Sequence, residues 1–89
     1  MKKISDSNRF KRDFRLAEKR GWKLEKLAQV INLLAADQPL PPHCRPHKLV
    51  GEYIGQWECH IEPDWLLIYD VDEESLFLIR TGSHADLFR

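Results

Sequence analysis

The chain has 89 residues, with 14 Lys/Arg, 14 Asp/Glu and 4 His and a formal net charge of zero, which is enough for a single domain over residues 1–89 burying roughly 60–65% of its unfolded surface. No apolar run approaches the ~18 residues of a transmembrane helix, and none follows the basic start as a secretory leader would. Two cysteines, Cys44 and Cys59, are too few for a disulfide framework, so a reduced, cytoplasmic protein is expected. The zero total hides a polarity: residues 1–48 hold twelve Lys/Arg against five Asp/Glu, and residues 49–89 hold two against nine. The basic half is suited to phosphates, unless the two halves simply attract each other in the fold.

In chain order, Lys2-Lys3-Ile4 is an edge strand or a frayed end. Asp6, Ser7 and Asn8 are all good N-caps, and Phe10, Phe14 and Ala17 on one face predict a helix to about Arg20, stopped by Gly21. Leu24, Leu27, Val30 or Ile31, and Leu34 predict a second helix from about Lys23 to Ala36, ended by Pro39 and Pro41-Pro42. The proline-rich loop Gln38 to Pro46 leads into a strand-like Lys48-Leu49-Val50, and Gly51 and Gly55 bracket a turn or bulge. Trp57 to Ile61, Trp65 to Val71 and Leu76 to Thr81 read as strands, joined by the turn Glu62-Pro63-Asp64-Trp65 and the acidic stretch Asp70 to Ser75. Two helices packed on a small twisted antiparallel sheet of three to four strands is the segregated α+β pattern.

The strand registers single out a cluster. If Glu62 pairs with Trp65, His60 lies opposite Leu67; if Asp70 pairs with Ser75, Trp65 lies opposite Arg80. With adjacent strands only ~4.8 Å apart, Arg80 arrives beside the Asp64-Trp65 turn, and His84 follows just past the strand end. His60, Asp64, Arg80 and His84 then share one end of the sheet. Histidine gives and takes protons near neutral pH, and a fixed guanidinium among titratable groups suits a phosphate that gains charge in its transition state. The alternative for Arg80 is an ion pair with Asp64 across the strands.

Other candidates carry plainer readings beside the sharper ones. His43-Cys44, His47 and Cys59-His60 lack the tight ligand spacing of structural zinc, so no metal or cofactor is expected, and Cys59, alternating with Trp57 and Ile61, reads as a small buried hydrophobe. Trp65 reads first as core. Phe88 either stacks a base or tucks into the core. Arg9, Lys11, Arg12, Arg15, Lys19, Arg20, Lys23 and Lys26 form either a phosphate-contacting face, with Arg12, Arg15 and Lys19 at its centre, or solvated helix surface.

Two stretches then carry a resemblance. His60-x-Glu62-Pro63-Asp64-Trp65-Leu66-Leu67-Ile68-Tyr69 and Arg80-Thr81-Gly82-Ser83-His84-Ala85-x-Leu87-Phe88, preceded by His47-x-Leu49-x-Gly51 and Gly55, resemble the YafQ-type toxins of the RelE/ParE superfamily. These are ribosome-dependent mRNA endonucleases of bacterial type II toxin–antitoxin pairs. The resemblance implies a RelE-like sheet backed by two helices, a cognate antitoxin that covers the site and alone brings the toxin to an operator DNA, and mRNA cut in the ribosomal A site. It places the family's functional positions on His47, His60, Asp64, Trp65, Arg80, His84 and Phe88. Many of these toxins are distinctly basic, whereas this chain is neutral overall.

The reaction so implied is a transesterification in RNA without metal, with His84 as the acid, Arg80 on the phosphate, Asp64 with His60 on the proton-accepting side, and His47 positioning the backbone or sharing the base role. Trp65 and Phe88 would shape the site or stack a nucleotide. The rival functions are a non-catalytic ParE-like toxin that inhibits DNA gyrase and an RNA-binding module without cleavage.

Overall fold

A computed structural model gives the fold for residues 1–88. Its elements are β1 (Lys3–Asp6), α1 (Asn8–Lys19), α2 (Leu24–Ala35), β2 (His47–Lys48), β3 (Trp57–Glu62), β4 (Trp65–Val71), β5 (Ser75–Gly82) and a single-turn α3 (His84–Leu87), with 3-10 turns at Pro42–Cys44 and Gly51–Tyr53. Both long helices fall within a residue or so of their expected bounds. Ser7 is the cap of α1: its Oγ accepts from the Phe10 N–H at 2.9 Å and donates to the Ile79 carbonyl at 2.6 Å, so the cap also ties the helix to β5. Gly21 ends the α1 segment at φ +75°, a left-handed conformation that other residues rarely adopt.

The sheet has five strands in the order β1-β5-β4-β3-β2, and β1 runs parallel to β5 while every other pair is antiparallel. The expected three to four antiparallel strands are therefore corrected to a mixed sheet of five. The extra strand is the Lys3–Asp6 segment, whose direction follows from topology: the two helices carry the chain back over the sheet before the strands begin. Lys2 N–H donates to the Ala35 carbonyl at 2.8 Å and Lys3 N–H to the Glu74 carbonyl at 2.8 Å, pinning this edge. On the other edge only His47–Lys48 pairs, shorter than the Lys48-Leu49-Val50 strand expected.

Both hairpin registers also differ from expectation. Glu62 does pair with Trp65, but an irregularity between His60 and Glu62 sets His60 opposite Leu66 rather than Leu67. In the second hairpin the Asp72 carboxylate accepts from the backbone N–H of Glu74 (2.9 Å) and Ser75 (2.7 Å), and Asp72 N–H donates to the Ser75 carbonyl at 3.0 Å. That local side-chain bonding closes the turn between residues 72 and 75, so Asp70 faces Phe77 instead of Ser75. A further shift between Ile68 and Tyr69 then sets Arg80 opposite Ile68, not Trp65.

The helices cover one face of the sheet. Phe10, Ala17, Leu27, Val30 and Ala35 pack there against Cys59, Ile61, Trp65, Leu67, Tyr69, Leu76 and Leu78. The opposite face carries a smaller cluster of Leu66, Ile68 and Leu87, bordered by Leu49, Tyr53 and Ile79. β4 is thus buried on both faces and reads as a continuous apolar run. Among the described residues no helix is long and apolar enough to cross a membrane.

Candidate active site

Strand alternation puts Glu58 and His60 on the sheet face away from the long helices, since Cys59 and Ile61 between and after them belong to the helix-facing core. Onto the same side fold the β3–β4 turn, which carries Asp64, and α3, which starts at His84. Asp64 Oδ1 accepts from the His84 backbone N–H at 2.9 Å and lies 2.6 Å from His84 Nδ1. The backbone N–H is the main cause, and the ring a second, by which the Asp64 carboxyl is held below its ordinary range. A carboxylate on Nδ1 selects the tautomer with hydrogen there and turns Nε2 outward.

His60 completes a pair of imidazoles, its ring centroid 6.0 Å from that of His84. Phe88 lies 6.4 Å from the His84 ring and meets Tyr53 edge-on at 6.0 Å. It remains 43% exposed, so it does not tuck into the core.

The turn bearing His84 is fixed from several directions. Ser83 Oγ accepts from the Asp86 N–H at 3.2 Å while Ser83 N–H donates to the Asp86 carboxylate at 2.8 Å, a reciprocal cap. Arg20, at the end of α1, grips the same carboxylate through two nitrogens at 2.7 and 3.1 Å. This pairing, more than any other cause, holds the Asp86 carboxyl far below the usual range. Gly82 is required by the close approach, because a Cβ there would stand 2.9 Å from the Asp86 Cβ.

Glu58 was not singled out from the sequence. Its side chain, 7% exposed, lies 3.3 Å from His47 Nε2 and 4.0 Å from His60 Nε2, so one buried carboxylate stands between the two histidines. The available signal was its place two residues before His60, on the same face of the strand.

Arg80 lies in one cross-strand row with Ile68 and Glu58, on the sheet face that carries His60, but it is paired to α1 and not placed at the Asp64 turn. Its Nε and one terminal nitrogen each donate to the Asp13 carboxylate at 2.9 Å, and Asp13 also accepts from the Thr81 N–H at 3.2 Å. The reason is again the sheet edge: β1 stops opposite Leu78, so the end of β5 has no strand beyond it and α1 supplies the acceptor. The pair replaces the expected cross-strand alternative with Asp64. Asp13, with Tyr53 as a further neighbour, drives the guanidinium above its ordinary range.

Trp65 is 2% exposed and donates from Nε1 to Thr81 Oγ1 at 2.9 Å, so it supports the site from beneath and has no open face for a nucleotide. Arg12, Arg15 and Lys19 are exposed on α1 with no ion pair among the described residues, and the structure does not bring them to the histidines. Cys44 and Cys59 are both buried free thiols, and burial pushes that of Cys59 up to about 12. Among the described residues no three His, Cys, Asp or Glu side chains form a group suited to a metal ion.

With this geometry in place, the relatives become informative. A family model described as the bacterial toxin of type II toxin-antitoxin system, YafQ, matches residues 2–89. The chain is 40% identical over 86 residues to the mRNA interferase toxin YafQ of Escherichia coli strain K12, covering 96% of this chain and 94% of that one. It is similar to a chain of the E. coli DinJ-YafQ toxin-antitoxin complex, with a TM-score of 0.91, 38% identity and coverage of 99% and 98%. A metal-bound toxin from Helicobacter pylori gives a TM-score of 0.92 at 41% identity, with coverage of 99% and 100%.

Proposed function

We propose, given that this chain belongs to the YafQ family of bacterial type II toxins, that it is an endoribonuclease that cuts mRNA in the ribosomal A site, in the cytoplasm, until a cognate antitoxin covers the site. The single observation that carries this reading is the Asp64–His84–His60 arrangement, in which a carboxylate orients one imidazole and a second imidazole stands 6.0 Å from it. Binding alone has no need of two adjacent proton carriers.

The reaction is a transesterification. The ribose 2′-OH attacks phosphorus, forming the O2′–P bond as the P–O5′ bond breaks, and leaves a 2′,3′-cyclic phosphate and a free 5′-OH. The 2′ proton goes to His60, and His47, which neighbours the same Glu58 carboxylate, positions the RNA backbone. His84 Nε2 delivers a proton to the leaving O5′, while Asp64 holds the ring and stabilises its charged form. In this geometry Asp64 serves His84 rather than the accepting side.

Arg80, held by Asp13, contributes positive charge toward the phosphorane as negative charge develops there. Phe88, half exposed beside His84, offers a face for a nucleotide. Base, acid and cation are all side chains, so the proposed chemistry needs no metal. Arg12, Arg15 and Lys19 are assigned to rRNA phosphates.

The test is primer extension on a message under translation, followed by analysis of the new ends, with a parallel gyrase supercoiling assay. Cleavage on ribosomes leaving 5′-OH ends supports the reading. Intact message with inhibited gyrase points to a ParE-like toxin, and intact message with retained RNA binding points to a module without catalysis.

A further inference from the structure

Beyond His60, on the side away from His84, lies a depression of about 430 Å3 lined by His43, Arg45, His60, Glu62 and Pro63. Its position follows from the sheet. β2 pairs with β3 through His47 and Glu58, so the loop just before β2, which carries His43 and Arg45, borders the end of β3 that carries His60 and Glu62. The strand order places β3 between this side and the strands that lead to His84. The depression therefore continues the row of proton carriers rather than forming a separate site.

Arg45 is an unusual residue to find there. Its backbone is left-handed at φ 44°, ψ 60°, disfavoured for a side chain with a Cβ and also for a residue that precedes proline, as Arg45 precedes Pro46. Such strain persists only where surrounding structure enforces it, and it gathers at functional positions. Here the 3-10 turn Pro42–Cys44 enforces it from one side, with Cys44 fully buried in the core, and His47 Nδ1 lies 3.0 Å from the Arg45 carbonyl on the other. The guanidinium is exposed and makes no ion pair among the described residues. The acid of the lining, Glu62, is already answered by Lys26 at 2.7 Å. The depression thus presents one uncompensated positive charge next to His60.

We propose that this depression holds the nucleotide on the 5′ side of the cut, with Arg45 on that nucleotide's own 5′ phosphate and His43 beside its base. The inference rests on the proposed mRNA cleavage and gives the strand a direction. If the leaving O5′ sits at His84 and the attacking 2′-OH at His60, the nucleotide that owns the 2′-OH continues past His60 toward β2. Arg45 is then a binding and positioning residue rather than a proton carrier, acting on occupancy more than on turnover.

The experiment compares wild type with Arg45→Gly on ribosomes programmed with a defined message. Glycine accepts the left-handed backbone, so this variant removes the guanidinium while relieving strain. The programmed-ribosome concentration for half-maximal cleavage should rise roughly 10- to 100-fold, the range of one hydrogen bond to a charged group, with the maximal rate changed far less. Arg45→Lys should recover part of the loss. A message with a neutral methylphosphonate at the linkage 5′ of the cut nucleotide should impose the same penalty on wild type and none on Arg45→Gly. Arg45→Gly cleaving with wild-type half-saturation overturns the inference. So does a penalty in Arg45→Gly that the neutral linkage fails to reproduce in wild type, which would place Arg45 on the ribosome instead. Failure of the underlying function looks different: wild type itself leaves every message whole.

Discussion

Replacing Asp13 by alanine should destabilise the protein more than any other single change on the surface of α1. The carboxylate accepts three hydrogen bonds, two from Arg80 at 2.9 Å and one from Thr81 N–H at 3.2 Å. Side-chain exposures are only 13% for Arg80 and 11% for Asp13, so removing Asp13 leaves a largely desolvated cation with Tyr53 but no carboxylate beside it. Breaking a buried pair in this way costs ~3–5 kcal/mol. The remaining exposure sets the expected loss at the low end, about 3 kcal/mol, which for a domain of this size lowers Tm by roughly 12–24 °C. Urea unfolding followed by far-UV circular dichroism measures it. Asp13→Asn combined with Arg80→Met removes both charges while the new amide oxygen can still accept from the Thr81 N–H, so it should return stability to within about 1 kcal/mol of wild type, yet it should not cleave message. Asp13→Ala unfolding within about 0.5 kcal/mol of wild type, the range of an ordinary surface change, would refute the view that α1 holds Arg80 by a desolvated pair.

Three further outcomes are expected. The Asp86 carboxyl is held far below its unfolded value of about 3.9 by Arg20, so its contribution is complete above about pH 4 and is lost as pH falls below that toward the folded value. Asp86→Asn should accordingly lose less Tm than wild type between about pH 5 and pH 2, and parallel curves would contradict the pairing. Reversing charge at Arg12, Arg15 and Lys19 together should weaken ribosome co-sedimentation and its salt dependence while leaving Tm nearly unchanged; unaltered co-sedimentation would return these residues to plain solvation. Protein stripped by a chelator and then returned to magnesium-containing ribosomes should cleave at the original rate, whereas a loss restored by added zinc or copper would overturn the metal-free chemistry.

The helices were legible in the sequence because their signals are local: the Phe10, Phe14, Ala17 stripe, the Ser7 cap and the Gly21 stop all act within a few residues. β1 was ambiguous because its partner is distant, Lys3 lying opposite Ser75, and because an exposed four-residue edge has no apolar alternation to read. The registers slipped for a different reason. Asp72 chooses the turn with its own side chain, and one irregularity within each hairpin then moves His60 and Arg80 along the sheet.

At the site, the residue types at 60, 64, 84 and 88 were legible, and so was the gathering of His60, Asp64 and His84 near one end of the sheet. What could not be read were the partners that set their chemistry. Asp13 comes from a helix otherwise rich in Lys and Arg, although an acid placed between Phe10, Phe14 and Ala17 on the inward stripe was a signal. Glu58 gains its meaning only when β2 delivers His47 beside it. Arg45 was passed over because a left-handed residue before proline has no signature in the sequence.

Proton delivery by His84 is the step on which the reaction depends, and the most direct measurement is the single-turnover cleavage rate of His84→Ala and His84→Gln on programmed ribosomes, with Tm and ribosome binding recorded for each. The Asp64 contact to the residue 84 backbone N–H does not depend on the ring, so both variants should fold and bind like wild type. Both should lose at least ~100-fold in rate, the lower bound for general acid catalysis, because glutamine offers a hydrogen bond but no proton to give up. A variant that melts and binds like wild type and still cuts mRNA at the normal rate would remove His84 from the chemistry.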